Sequence, residues 1–328
     1  MKIVLIGVLL LLIGILLVLF SIPNYIKEIE NIVYVVTMPP PTMREQFIAG
    51  NIDGFIAWEP FNADLVLNEN ASYLIQSSDI WPNHTCCVLT TKTEDENIIK
   101  ALLWAHIKAT EFINDPINYK KVVKYATEFT GKDEDVVREA LDHIEFIEYP
   151  NEERFKEFFY KLKEYNYLIK PKEITFLDKS YYNEIKDKTE KPNFVNKTVR
   201  LGYLTGDLHQ LAFYVALKEG YYDVVFKEVK TLKFNNGVYA MDAYHSNLID
   251  AGYIGSSPVI LKIVNEDIDI KVMGGANNVG SALVVRKDIK SLDDLEGKII
   301  AIPGFGTVQD IIFKIIANSS NLKVVVKK

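Results

Sequence analysis

Residues 294–313 read D-L-E-G-K-I-I-A-I-P-G-F-G-T-V-Q-D-I-I-F: a short apolar run, a glycine-rich turn, then an amphipathic segment. Ile299–Ile302 is predicted to be a strand, and a helix is predicted from about Thr307. Pro303, Gly304 and Gly306 let the backbone turn tightly and approach a ligand closely. Thr307 is the expected N-cap, and the N–H groups of the turn after it have no intrahelical acceptor. The positive end of the helix dipole adds to them, so a small anion is favoured in front of this turn. Most strand–glycine–helix turns are only turns, and this one gains meaning because the pattern recurs.

It recurs twice upstream. Residues 250–254 form a strand, and Gly255-Ser256-Ser257-Pro258 opens a helix over 259–264. Two serines with a proline in the first turn are good capping chemistry and equally good anion-binding chemistry. Residues 199–204 form another strand, T-G-D-L-H-Q follows at 205–210, and a helix over 211–219 ends at Gly220. Thr205, His209 and Gln210 therefore sit where a strand hands over to a helix, the ligand edge of an open α/β sheet. Asn277, Asn278 and Ser281 lead into a strand over 282–286. Near the start, the prolines of M-P-P-P-T-M (38–43) forbid regular structure, Thr42 is expected to cap a helix ending at Gly50, and a strand over 52–58 closes at Trp58-Glu59-Pro60. Trp58 beside a carboxylate either lines a pocket or packs at a strand end.

The remaining stretches carry structure rather than chemistry. Apolar residues keep helical spacing over 98–113, 133–144 and 155–169, and these stripes are core. His106 is expected at a partly packed surface. Residues 178–197 are polar, mixed in charge and aperiodic, the best linker in the chain.

With 328 residues, 48% of them hydrophobic, the chain can build two lobes. A net charge of −7 argues against a nucleic-acid partner. Residues 3–20 are uncharged and almost wholly aliphatic, and with Ile22 they are long enough to span a bilayer. No A-x-A site and no cysteine follow, so residues 1–23 are read as an uncleaved single-pass anchor in the cell membrane, with the bulk of the chain extracytoplasmic. The cysteines are the adjacent Cys86 and Cys87. Neighbours alternate across a strand, so they are read as separate buried thiols over 86–89. With no histidine cluster beside them, no zinc site is expected. His84 with these thiols is the one nucleophile–base candidate, and its spacing fits no catalytic motif.

Four segments together resemble a known family, the periplasmic-type substrate-binding proteins of ABC importers in the nitrate/sulfonate/taurine class. They are 199–223, V-R-L-G-Y-L-T-G-D-L-H-Q-L-A-F-Y-V-A-L-K-E-G-Y-Y-D; 249–258, I-D-A-G-Y-I-G-S-S-P; 283–310, from L-V-V-R-K-D to F-G-T-V-Q-D; and 38–60, M-P-P-P-T-M-R-E-Q-F-I-A-G-N-I-D-G-F-I-A-W-E-P. In the family the 199–310 segments come first and the 38–60 segment follows. Here the order is reversed, as in a circular permutation, with a similar β run at 32–36 and 322–326. Half of one binding protein followed by half of the next is the alternative.

The resemblance implies a type II two-lobe α/β fold. The first lobe would span 69–285, including the linker, and the second would join 31–68 to 286–328. Thr205, His209, Gln210, Ser256 and Ser257 would face Gly306, Thr307, Trp58 and Glu59 across a cleft holding a small anionic or zwitterionic solute. The implied partners are ABC permease subunits, with no cofactor and no covalent chemistry. A non-binding remnant, a half-protein completed by a partner, and a thiamin-pyrimidine or menaquinone-pathway enzyme of the same fold are the rival readings.

Overall fold

The computed structural model describes residues 31–170, 173–186 and 191–327. The apolar run at 3–20 lies outside the described residues. Among those described, no helix is long and apolar enough to cross a membrane.

The alternation of β-branched runs with helical stretches yields two six-stranded sheets among the described residues. The first holds β1 (Ile32–Thr37), β2 (Gly54–Trp58), β3 (Ala71–Gln76), β10 (Ser281–Arg286), β11 (Ile299–Ile302) and β12 (Lys323–Val326), in the order β12-β1-β11-β2-β10-β3. The second holds β4 (Thr85–Thr91), β5 (Ile144–Phe146), β6 (Val195–Leu204), β7 (Phe226–Phe234), β8 (Ala251–Gly255) and β9 (Lys271–Val279), in the order β5-β9-β4-β8-β6-β7. The chain passes from the first sheet to the second through residues 77–84 and returns through Gly280.

The two ends of the chain complete the first sheet together. β1 runs parallel to β11 on one side, with Tyr34 opposite Ile299, and to β12 on the other, with Ile32 opposite Lys323. β10 runs antiparallel between β2 and β3. A lobe boundary drawn at residues 68/69 and 285/286 would therefore cut β3 and most of β10 from their sheet.

Each sheet is covered on both faces. Met43 and Phe47, from helix Pro40–Ile48, pack with Phe55 and Val284 on one face of the first sheet. Helices Glu96–Asn114, Tyr119–Thr130 and Leu211–Lys218 cover one face of the second. The largest cluster lies between the sheets, where Ile56, Leu283 and Ile300 pack with Ile260, Phe313, Phe158 and Tyr244. Parallel strands buried on both faces read as unbroken apolar runs, which is why I-I-A-I and I-V-Y-V-V lack strand alternation.

Several expected boundaries move. The first helix begins at Pro40, with Pro39 as N-cap, instead of at Thr42; a proline in the first turn gives up an N–H that had no acceptor. The helix expected over 133–144 stops at Leu141, and Ile144–Phe146 pairs with β9. The expected linker is partly structured: Ser180–Lys186 is a helix that buries Ile185, and β6 starts at Val195. His106 is fully buried, its Nδ1 3.0 Å from the Tyr253 hydroxyl, and does not lie at the surface.

Candidate functional site

A cavity of about 760 Å³ is lined from both sheets. From the first come Met38 and Pro39 beyond β1, Trp58 at the end of β2, and Gly304 to Gln309, apart from Gly306, after β11. From the second come Cys86 and Cys87 of β4, Asp207 and His209 beyond β6, and Ser257 beyond β8. Asn236 and Gly237, at the start of helix Gly237–His245, close one wall. Three helices thus begin at the cavity: Gly237–His245, Ser256–Glu266 and Val308–Ser319.

Of the nine residues expected at the site, Trp58, His209, Ser257 and Thr307 line the cavity. Gly306 stands behind them, its carbonyl accepting a hydrogen bond from Ser257 Oγ that ties the two walls together. The other four are turned away by their own bonds. Ser256 Oγ donates to Thr85 O at 3.0 Å. Gln210 accepts from Leu204 N and donates to Asp207, bracing the loop between them. Thr205 is exposed, with its Oγ1 3.4 Å from Phe234 O. Glu59 is fully buried and reaches His143 Nδ1 at 2.8 Å and Ala63 N at 3.0 Å, on the far side of the strand end.

The turn quoted first is capped as expected, Thr307 Oγ1 accepting from Asp310 N at 3.1 Å. Asp310 then folds back to accept from Gly306 N at 2.9 Å and is held by Tyr167 and Lys314. The Gly306 N–H, just before the N-cap, is therefore closed to an anion by a carboxylate of the helix itself, and in the first turn the Asp310 N–H is already taken by Thr307. The first-turn amides of Val308 and Gln309 remain directed past the helix start. The lining holds one Lys or Arg, Lys262, which is paired with Asp242 and Glu266. Positive potential in the cavity thus comes from helix starts and from the buried His209 ring, whose pKa burial alone would lower but the neighbouring Cys86 and Asp207 push up to about 9. Trp58 Nε1 is buried without a protein acceptor.

Sequence reasoning missed the inner floor. Cys86 and Cys87 point into one space because β4 is irregular against β9, with register shifts on both sides of Cys87. A bulge breaks the alternation of side chains, and Asn277 Oδ1 takes the Cys87 N–H at 3.1 Å. A ring nitrogen of His209 and both sulfurs lie within 4.8 Å of one another, all three residues being buried. In the sequence the cysteines have only His84 near them and no histidine cluster; the fold carries His209 in beside them from the loop after β6. His209 Nε2 donates to Gly280 O at 3.0 Å, and Asp207 Oδ1 caps the His209 N–H at 3.1 Å. Burial pushes the Asp207 carboxyl up to about 6, against the lowering effect of His209. The two thiols are split: the hydrogen bond from Cys87, with help from the His209 ring, holds Cys86 well below its usual value, and the same bond raises Cys87. Asp207 and the cysteines were legible only as ordinary loop and strand residues, because nothing in their spacing announces the bulge.

Two α/β sheets thus bring three helix starts to a cavity between them, the kind of place where open α/β sheets offer room for a ligand. Residues 24–127, under half of the chain, match the model of the NMT1-like family. The chain is 22% identical over 130 residues to the nitrate/nitrite binding protein NrtA of Nostoc sp. strain PCC 7120, covering 38% of this chain and 30% of that protein. It is 34% identical over 98 residues to the nitrate import ATP-binding protein NrtC of Synechocystis sp. strain PCC 6803, over 28% of this chain and 14% of that one. The matches thus span less than a third of either relative. Among solved structures, NikA from Staphylococcus aureus aligns with a TM-score of 0.38 at 9% identity, covering 78% of this chain and 58% of that one. The oligopeptide-binding protein AppA from Bacillus subtilis aligns with a TM-score of 0.33 at 11% identity, covering 76% and 54%.

Proposed function

We propose that this chain is an extracytoplasmic solute-binding protein that captures an organic anion or zwitterion in the cleft and presents it to an ABC permease. The observation that carries the reading is the cavity of about 760 Å³ onto which three helices open. Binding by helix starts in place of paired cations suits an anion that must be released again. A bare oxyanion would fill little of this volume. A solute with an apolar body would use the Met38, Pro39 and Leu261 wall, and its anionic end would meet the helix starts and Trp58 Nε1. Similarity to a nitrate/nitrite binding protein supports the class of protein and leaves nitrate itself one member of the panel below. We further propose two lobes, drawn by sheet, a rearranged order of the family halves, and an N-terminal membrane anchor over 1–23. No covalent chemistry is assigned.

The test is a thermal-shift series on the full chain in detergent with nitrate, bicarbonate, alkanesulfonates, taurine and pyrimidine vitamin precursors. A ligand of the folded state raises the melting temperature with concentration, by about 2.7 kcal/mol of stabilisation at a hundred times Kd. One solute is expected to give a saturable rise. Val238→Trp, at an exposed position on the cavity rim, is expected to abolish the rise while leaving the unliganded melt in place. A shift that survives Val238→Trp, or a cooperative melt that no solute moves, counts against the reading.

A further inference from the structure

The floor of the cavity holds a donor set that solute capture does not use. Cys86, Cys87 and His209 are 5%, 2% and 0% exposed, yet all three line the cavity, so an ion can reach them through the cleft. Their ligand atoms lie within 4.8 Å of one another, while tetrahedral zinc with sulfur and nitrogen ligands needs bonds of about 2.0–2.3 Å and ligand pairs somewhat under 4 Å apart. Small side-chain rotations close that gap.

The histidine is arranged as a metal ligand is. Gly280 O can only accept, so the Nε2 that contacts it at 3.0 Å carries the proton. Nδ1 is fully buried and makes no hydrogen bond, with Asp207 Oδ1 3.9 Å away, too far for one. A histidine ligand with its other nitrogen fixed on a carbonyl is the usual outer-shell arrangement. The ring is held in place by packing as well: a Cβ on Gly280 would stand 2.4 Å from Nε2. The two sulfurs meet only because of the β4 irregularity, a device that re-aims side chains at sites.

We propose that Cys86 Sγ, Cys87 Sγ and His209 Nδ1 bind one thiophilic d10 divalent ion, zinc in the first instance, with the fourth position open to the cleft. Binding displaces the protons of the two thiols, which leave to solvent, and two thiolates balance the charge of the ion. Asp207 Oδ2, 3.9 Å from Cys87 Sγ, lies beside the site and not in it. Three protein ligands with an open fourth place is the arrangement in which a metal can also meet a small molecule. The inference is independent of the solute reading, since its readouts need no solute.

The experiment loads the reduced full chain in detergent with zinc chloride, removes unbound metal by gel filtration and measures metal per chain. One zinc per chain is expected. Cobalt chloride in place of zinc is expected to give a thiolate-to-cobalt charge-transfer band, and zinc is expected to protect both cysteines from alkylation. Cys86→Ser, Cys87→Ser and His209→Gln are each expected to weaken binding by more than about a hundredfold, beyond the ten- to hundredfold loss typical of an outer-shell partner. His245→Gln, a change on helix Gly237–His245, should change nothing. Zinc retained at wild-type level by a cooperatively melting Cys86→Ser chain overturns the proposal. If the variants fail to fold, the wild type decides alone: a cobalt spectrum with no thiolate band, or cysteines alkylated equally with and without zinc, also overturns it.

Discussion

At the scale of single residues, one carbonyl at the junction reaches both sheets. Gly280 O accepts from Glu59 N at 3.0 Å, at the end of β2, and from His209 Nε2, at the loop after β6. To aim it there the backbone turns through Val279 at φ 52° and Gly280 at φ 82°. A β-branched residue rarely adopts positive φ, so Val279 is held there by its surroundings. Gly280→Ala adds both the left-handed cost of about 1–2 kcal/mol and a Cβ 2.4 Å from the His209 ring. Gly297→Ala, at φ 73° with nothing within 4 Å of the added Cβ, carries the first cost alone. Urea unfolding at constant slope is therefore expected to show a loss of about 1 kcal/mol for Gly297→Ala and at least about 3 kcal/mol for Gly280→Ala. Equal losses would mean that the His209 ring yields and that Gly280 is an ordinary turn. In the sequence, N-N-V-G-S reads only as the approach to a strand, because positive φ on a valine is imposed from elsewhere in the fold.

At the scale of elements, short apolar runs that end in a turn are legible as strands, and runs interrupted by glycine, asparagine or charged residues are not. β11 and β8 stand where their patterns put them. β9, K-V-M-G-G-A-N-N-V, was hidden by two glycines and two asparagines, which depress strand propensity, although it is almost wholly buried. β3 and β7 were likewise not foreseen. The Trp58-Glu59 corner was foreseen as a site, but Glu59 instead ties the end of β2 to His143, just before β5. Burial alone would lower the His143 pKa. The Glu59 hydrogen bond and charge outweigh it, helped by Glu139 and Asp142, and hold the pKa above the ordinary 6.5. Gln76 Nε2 and the Tyr73 ring complete its surroundings. A folded-state pKa raised above the unfolded value adds stability that is fully present below pH 6.5 and is lost as pH rises through the folded value. His143→Gln keeps a hydrogen bond and removes the charge. The wild type should therefore lose its advantage over His143→Gln as pH is raised from about 5.5 through the neutral range. Urea midpoints measured across that range check it; a constant difference would show that the pair does not titrate.

At the scale of the whole molecule, the order of the halves can be tested by undoing it. The alternation of strands and helices made the α/β class legible, and the four family-like segments made a two-lobe layout an expectation. What no local pattern could say is which of two similar β runs, 32–36 or 322–326, would lie beside β11. β1 takes that place, and β12 lies outside it as an edge strand with Val326 largely exposed. Both strands run in the same direction and start level, since Ile32 is opposite Lys323 and Lys323 N donates to Asn31 O at 2.8 Å. Parallel neighbours are separated by about 4.8 Å, so Leu322 can be joined to Asn31 through a residue or two without moving either element. A chain running from 191 to 322, then from 31 to 186, would keep β1 in place, omit β12, and open the backbone at 187–190, between the Ser180–Lys186 helix and β6. Such a chain is expected to melt cooperatively with a stability loss of about 1–2 kcal/mol, the cost of one poorly buried edge strand, and to respond to the same solute as the native order. The zinc site should survive too, since Cys86, Cys87 and His209 keep their neighbours. A reordered chain that fails to fold would mean that β12 closes the first sheet and is no mere repeat of β1. Its loss would then expose the β1 edge to pairing with other chains, which light scattering would register as association.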